Sequence, residues 1–248
     1  MGSELAIGII GATGRLGRSI AALALADPNF RIGGAFTHVA SRFLQQDLGA
    51  LLGLAPLGLP LTDNIQAKPL DLYIEVSLAP ALPRTVQAAL HLQRPLVVGT
   101  TGLSADDFTR LREASKTIPL FYTANFSLGM ALLRKLTREA ARLFSPQADI
   151  DLIETHHAQK KDAPSGSALA LSRAIQESHP THKTPRIHSI RSGKIIGEHE
   201  LRFNTAEEQL VLSHQAHSRD AFARGALAAA RFLIDQPPGL YTMDDLLL

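Results

Sequence analysis

Short apolar blocks and helically spaced apolar stripes take turns along the first half of the chain. Leu5–Ile10 is a continuous apolar run ending in a glycine cluster, and Arg15–Ala26 follows with Leu16, Ile20, Leu23 and Ala24 at helical spacing until Asp27-Pro28 stops it. The pattern predicts strand, turn, helix. It then recurs: Phe30–Phe36, residues 71–76, Leu96–Val98 and residues 120–123 read as strands. Residues 80–93 and 104–116 read as helices, the second opened by a Ser104/Asp107 capping box. Strands alternating with helices of this length predict an α/β fold, a Rossmann-like parallel sheet covered on both faces.

After residue 124 the rhythm changes. A long helix over 125–144, a strand over Asp149–His156 and a helix over 165–178 precede three strands in succession, 187–191, 194–203 and Gln209–Gln215. Such a run predicts a smaller α+β domain with an open mixed sheet. The Ala-rich stretch 219–235 carries Phe222, Ala226, Ala229 and Leu233 on one helical face and is expected to return to the first domain. The expected organisation is therefore a dinucleotide-binding domain, 1–124 completed by 219–248, and a second domain, 125–218. Residues 48–62, uncharged and interrupted by Pro56 and Pro60, read as a loop or buried connector, too short for a membrane helix.

Composition narrows the chemistry. The 248 residues contain no cysteine, so catalysis by a protein thiolate and Cys-liganded metal are excluded. Lys and Arg (25) nearly balance Asp and Glu (23), and aromatics are 5%, so neither a basic stripe nor a base-stacking platform for nucleic acid is suggested. Glu4 and the lack of a basic flank argue against a signal peptide, and Ala6 against a myristoylation start. A cytoplasmic protein with no membrane partner is expected.

Gly8-Ile-Ile-Gly11-Ala12-Thr13-Gly14-Arg15-Leu16-Gly17 lies at the first strand-to-helix junction, where a dinucleotide's pyrophosphate would meet free backbone N–H groups and the positive end of a helix dipole. Thr13 stands where the commoner fingerprint has its second glycine, and a merely tight junction would use the same residues. The expected acid at the end of the second strand is replaced by Thr37-His38, followed by Ser41 and Arg42, groups able to accept a 2′-phosphate. NADPH is thus expected to be preferred or tolerated. Gly99-Thr100-Thr101-Gly102 and Ala124-Asn125-Phe126-Ser127 end two further strands at the same sheet edge. They suit either a nicotinamide carboxamide or helix caps.

The most informative stretch runs from Asp151 to Ser167 and includes Glu154, His156, His157, Lys160, Lys161, Asp162, Pro164, Ser165, Gly166 and Ser167. Adjacent histidines on a strand point to opposite faces and lysine is a poor ligand, so no metal site is expected. Two histidines and a lysine do suit proton transfer near neutrality. The helix start at Pro164-Ser165-Gly166-Ser167 is a plausible carboxylate cradle, or simply a capped surface turn.

In this order, Gly11 to Arg18, Gly99 to Gly102, Ala124 to Gly129, Glu154 to His157, Lys160 to Ala168 and Ile196-Gly-Glu-His199 resemble the 4-hydroxy-tetrahydrodipicolinate reductase (dihydrodipicolinate reductase) family over nearly the whole chain. The resemblance implies NADPH and/or NADH as cofactor, a small cyclic imine dicarboxylate as substrate, and a homotetramer joined through the second domain's sheets. It makes His156 a proton donor and acceptor and Lys160 a proton donor that also meets substrate. His157, Ser165, Gly166 and Ser167 are implied to hold substrate carboxylates. Gly11, Ala12, Thr13, Gly14, Arg15, Leu16, Gly99, Thr100, Thr101, Ala124, Asn125, Phe126 and Ser127 are implied to hold cofactor, with Thr37 and His38 beside its ribose. Departures from the family pattern are Thr37-His38 for an acid and Arg, Ser167 for Thr, Ala158-Gln159 for a more basic pair, Glu75-Val-Ser-Leu78 for Asp-Phe-Ser/Thr, and a short stretch between Ser178 and Ile187. Closure of the two domains, hinged near residues 124 and 218, is expected. Two other readings fit less well. A semialdehyde dehydrogenase acting through a thiohemiacetal needs a cysteine, and a redox-sensing regulator needs a recognition module that is not evident.

Overall fold

The computed structural model describes residues 4–65, 70–144, 148–178 and 184–247; the short stretch after Ser178 lies largely outside them. The chain forms two compact units, residues 1–126 with 222–248, and residues 127–221. The first contains β1 (Leu5–Ile10), α1 (Arg15–Ala26), β2 (Phe30–Phe36), α2 (Leu48–Leu52), β3 (Leu61–Thr62) and β4 (Leu72–Glu75). It continues with α3 (Leu82–Leu92), β5 (Leu96–Val98), α4 (Ala105–Ser115) and β6 (Pro119–Tyr122). The seven strands are all parallel, in the order β11-β6-β5-β4-β1-β2-β3, where β11 is Gly239–Tyr241. Every residue of β1 and β4 is buried, as strands in the middle of a doubly covered sheet must be, including Glu75 at the end of β4. The chain leaves β1 toward β2 and β3, then returns to β4 on β1's other side. That reversal opens a crevice beyond the carboxyl ends of β1 and β4, the place where open α/β sheets bind ligands.

The second unit holds α5 (Leu128–Phe144), β7 (Asp149–His156), α6 (Gly166–Ser178), β8 (Arg186–Arg191), β9 (Glu198–Asn204) and β10 (Gln209–Gln215). Its sheet runs β10-β9-β7-β8 and is mixed: β7 pairs parallel with β8 and antiparallel with β9. Alternate residues of β7 are buried, and Ile150, Leu152, Leu201 and Phe203 form a core with Leu133 and Ala141 of α5 and Leu171 and Ile175 of α6. The opposite face carries Asp151, Arg186, His188, Ile190 and Val211. There Asp151 accepts from Arg186 at 2.9 and 3.1 Å, and Ile190 and Val211 remain 47% and 44% exposed.

Helix α7 (Asp220–Leu233) is followed by β11 and α8 (Met243–Leu246). Arg231 of α7 reaches Asp27 at 3.2 Å and lies over the Phe30 ring, and Phe232 packs edge-on against Phe121 and Tyr241.

Besides shifts of one or two residues at element ends and the short β11 and α8, three stretches differ from the sequence pattern. The stretch 48–62 contains α2 and β3 because the Asp47 carboxylate accepts four backbone N–H groups, from Gly49, Ala50, Leu57 and Leu59, and so folds the connector around itself. The helix expected from 125 starts at Leu128, since Ser127 Oγ accepts from the Met130 N–H at 3.2 Å. The strand expected from 194 starts at Glu198, where pairing with β7 begins.

Candidate active site

At the β1–α1 turn Gly11 has φ +85°, a left-handed conformation, and a Cβ there would lie 2.8 Å from Ser77 N and Val76 O. A Cβ on Gly17 would fall 2.2 Å from Gly11 O. These glycines therefore allow two close backbone approaches. Gly11 and Ala12 both donate to Phe36 O, which ties the turn to the end of β2. Helix α1 has no side-chain cap; the Gly14 N–H is bonded to Gly11 O at 2.9 Å, and the first-turn N–H groups of Arg15 to Gly17 that follow lack an intrahelical partner. A cavity of about 420 Å³ opens beside this turn, lined by Gly11, Thr13, Gly14, Thr37, His38, Asp63, Ser77, Arg84 and Thr85 among polar or backbone groups, and by Ile10, Phe36, Ile65, Val76, Leu78 and Ala81 among apolar ones. An unblocked helix start beside an apolar cavity fits a dinucleotide.

Thr13 Oγ1 lies 3.2 Å from Thr37 Oγ1, so the hydroxyl replacing the fingerprint's second glycine bridges to the end of β2. Beyond it, His38 Nδ1 accepts from the Ala40 N–H at 3.0 Å, while Arg18 and Arg42 sit over the Phe43 ring, 5.2 and 4.7 Å from its centroid. On the other side of the turn, fully buried Glu75 accepts from Ser77 N at 2.7 Å, Thr85 Oγ1 at 2.6 Å and Thr100 Oγ1 at 3.2 Å. Thr100 is thus turned inward to fix the loop, while Thr101 is exposed. Ala124 is exposed and Asn125 half-buried. The Phe126 ring lies over Gly99, whose Cβ would fall 2.2 Å from it. Ser127 belongs to the second unit, with its Oγ 3.2 Å from His214 Nε2. Leu16 is half-buried on α1.

In the second unit the polar stretch begins on β7 and ends at α6. His156, 8% exposed, shares its strand face with Glu154 two residues earlier, and its Nδ1 is hydrogen-bonded to Glu154 Oε2. Glu154 Oε1 accepts from Arg191 at 2.7 Å and from the Ser165 N–H at 3.2 Å. Burial works to raise the Glu154 pKa, but hydrogen bonds from Arg191, Ser189 and His156 outweigh it and hold the carboxyl at about 2. Burial lowers the His156 pKa, opposed by Glu154 and reinforced by Lys160 and Arg191. His199, 4% exposed, meets His156 edge-on at 5.3 Å, and burial, together with the neighbouring His156, lowers it to about 4. Lys160 Nζ pairs with Asp162 Oδ2 at 2.8 Å, and its backbone N–H closes a turn on His157 O. His157 and Ser167 are half-buried and Gly166 is exposed. Ser165, 1% exposed, caps α6 through Oγ, which accepts from the Ala168 N–H.

His156, Lys160 and the α6 start thus occupy one strand-loop-helix segment. Sequence reasoning had no role for Glu154, Arg191 or Gly197, nor for Ser77 and Arg84 in the first unit. The signal for Glu154 was the two-residue spacing to His156; Arg191 enters only through the β7–β8 register, which sets it beside His156. Among the described residues, no cluster of three or more His, Asp or Glu could hold a metal ion.

A doubly wound dinucleotide-binding unit followed by a unit bearing a buried imidazole and a lysine defines a nicotinamide-dependent reductase. Residues 5–126 match the family model "Dihydrodipicolinate reductase, N-terminus" and residues 129–247 match "Dihydrodipicolinate reductase, C-terminus"; the chain belongs to the dihydrodipicolinate reductase family. The 4-hydroxy-tetrahydrodipicolinate reductase of Halorhodospira halophila (strain DSM 244 / SL1) is 36% identical, with 98% of this chain and 99% of that protein covered. That of Caldanaerobacter subterraneus subsp. tengcongensis is 38% identical over 96% of both. Among solved structures, a dipicolinate-bound dihydrodipicolinate reductase from Paenisporosarcina sp. TG-14 shares the fold, with a TM-score of 0.80 at 22% identity over 96% of this chain and 97% of that one.

Proposed function

We propose that the chain reduces 4-hydroxy-tetrahydrodipicolinate to tetrahydrodipicolinate, consuming NAD(P)H and a proton and releasing water and NAD(P)⁺, in the diaminopimelate route of lysine biosynthesis. The observation that carries this reading is the family match across both units, from the glycine turn to the last strand. When bound, the reduced nicotinamide supplies the hydride. The first unit's part is to hold the cofactor: the α1 N–H groups at Arg15 and Leu16 face the pyrophosphate, and the cavity beside Thr37 and His38 takes the adenosine half.

The cofactor preference is NADPH, or both nucleotides. No acid stands at the end of β2 to repel a 2′-phosphate, and Arg18 and Arg42 flank Phe43 close by. In the second unit, His157 and the Gly166-Ser167 helix start hold the substrate carboxylates by charge-assisted contacts and N–H donation. The Lys160 ammonium delivers the proton that balances hydride addition, and His156 Nε2 accepts and returns protons beside it. Ser165 supports this segment from within, since its hydroxyl is committed to capping α6. We assign the residues 125–218 to substrate binding and to homotetramer formation through the open sheet face, and the protein to the cytoplasm.

The test is oxidation of NADPH and of NADH with freshly generated 4-hydroxy-tetrahydrodipicolinate. Oxidation with NADPH at least equal to that with NADH is the expected outcome. Folded protein that oxidises neither overturns the reading.

A further inference from the structure

Glu154 has no part in the reading above, yet among the described residues it is the most completely enclosed charge in the second unit, with no exposed surface and partners on both oxygens. We propose that Glu154, anchored by Arg191, is a positioning residue that fixes His156 in the tautomer with its proton on Nδ1 and leaves Nε2 bare toward the substrate. The proposal rests on the reading of His156 as the proton-transfer group.

The donors and acceptors around the Glu154 carboxylate fix where the imidazole proton sits. An ionised carboxylate can only accept, and Oε1 already receives two donors, the Arg191 guanidinium at 2.7 Å and the Ser165 N–H at 3.2 Å, with the Ser189 hydroxyl a further donor to the carboxylate. Arg191 is itself held, donating to Asp162 O at 2.6 Å and to Ile190 O at 2.8 Å. With Glu154 kept ionised, the hydrogen bond between Oε2 and His156 Nδ1 needs its proton on nitrogen. A neutral imidazole with Nδ1 protonated has Nε2 as an acceptor. Space around Nε2 is kept by Gly197, where a Cβ would lie 3.1 Å from that atom. His199 backs the ring edge-on, held neutral near pH 7 by its pKa of about 4, so it adds no competing charge. A purely structural role, tying β7 to β8 and to the start of α6, would use the same contacts but would not depend on which oxygen faces the imidazole.

Glu154→Gln separates the two. Ser165 N–H and Arg191 both demand an acceptor at the Oε1 position, so the amide oxygen must settle there and its NH₂ must face His156 Nδ1. That arrangement forces the proton to Nε2. The experiment is a long-range ¹H–¹⁵N spectrum of the ¹⁵N-histidine-labelled protein, with His156 assigned by its loss in His156→Gln. In the wild type the expected spectrum shows Nδ1 protonated and Nε2 unprotonated; in Glu154→Gln the two are exchanged. With it, kcat falls roughly 100-fold or more while KM moves less than about 3-fold, as for other imidazoles held in the wrong tautomer. Glu154→Asp, which keeps an acceptor, retains the wild-type tautomer and restores part of kcat.

A wild-type His156 protonated on Nε2 overturns the proposal, and this needs no variant, so it stands even if Glu154→Gln does not fold. An unchanged tautomer in folded Glu154→Gln, or a reversed tautomer with unchanged kcat, overturns it as well. Failure of the underlying reading looks different: His156→Gln would keep wild-type turnover whatever the tautomer.

Discussion

Gly17 shows how far a single missing methyl group reaches. It lies in the first turn of α1, and the carbonyl of Gly11 occupies the place where its Cβ would be, 2.2 Å away. Alanine there must push the α1 start off the β1 turn, whereas Gly14→Ala meets the same carbonyl at 3.2 Å and asks for a shift of only a few tenths of an ångström. Gly17→Ala is expected to weaken NADPH binding at least 10-fold, because misplaced N–H groups lose their aim at a phosphate, and Gly14→Ala to weaken it far less. Titration of nicotinamide fluorescence measures both, and equal affinities for the two variants would count against the close approach. At the other end of the chemistry, Lys160→Gln and His156→Gln are each expected to lower kcat roughly 100-fold or more. Steady-state rates on purified protein with native circular dichroism provide the check, and a residue whose loss leaves kcat intact has no chemical role.

At the scale of elements, the open face of β10-β9-β7-β8 carries the clearest unmet demand. Ile190 on β8 and Val211 on β10 are about half exposed, on strands that stand at the two edges of the sheet. A second sheet laid on this face would cover them, which is the arrangement a sheet-joined homotetramer needs. For the homotetramer proposed above, Ile190→Arg together with Val211→Arg is expected to lower the mass measured by light scattering below that of the wild type, and an unchanged mass would remove this face from assembly.

The same scale explains what the amino-acid pattern reveals. Helix α1 and strands β1, β2, β7 and β10 are legible to the residue because each is either a compact apolar run or a repeating pattern set between clear stops. Elements α2, β3 and β11, of five, two and three residues, are too short for any period to show. The site divides in the same way. The glycine turn and the His156 to Ser167 stretch are local in sequence and can be read directly, while Arg191 joins Glu154 across 37 residues and is visible only once β7 and β8 are in register.

For the whole molecule, acid is the condition that should act unevenly. The second unit buries His199 with a pKa of about 4 against an ordinary 6.5, and Glu154 with about 2 against 4.5. Both values are depressed, so in each case the unfolded chain binds the proton more readily than the folded one. The stabilisation due to His199 is complete above pH 6.5 and is lost as pH falls from there toward 4. That of Glu154 is complete above 4.5 and is lost between 4.5 and 2. Between pH 6.5 and 4.5 the carboxylate therefore stays silent and the buried imidazoles carry the slope, His156 and His214 adding to it in the same direction because burial lowers both. One pKa unit is worth about 1.4 kcal/mol, so His199 alone should cost the fold about 2 kcal/mol between pH 7 and pH 5. Urea titrations at those two pH values read the loss as a drop in midpoint. His199→Phe keeps a ring of similar size against His156 but cannot take up a proton, and its midpoint should fall distinctly less over the same interval. A variant whose midpoint falls as far as the wild type's would show that His199 titrates alike in both states and that the acid sensitivity arises elsewhere in the chain.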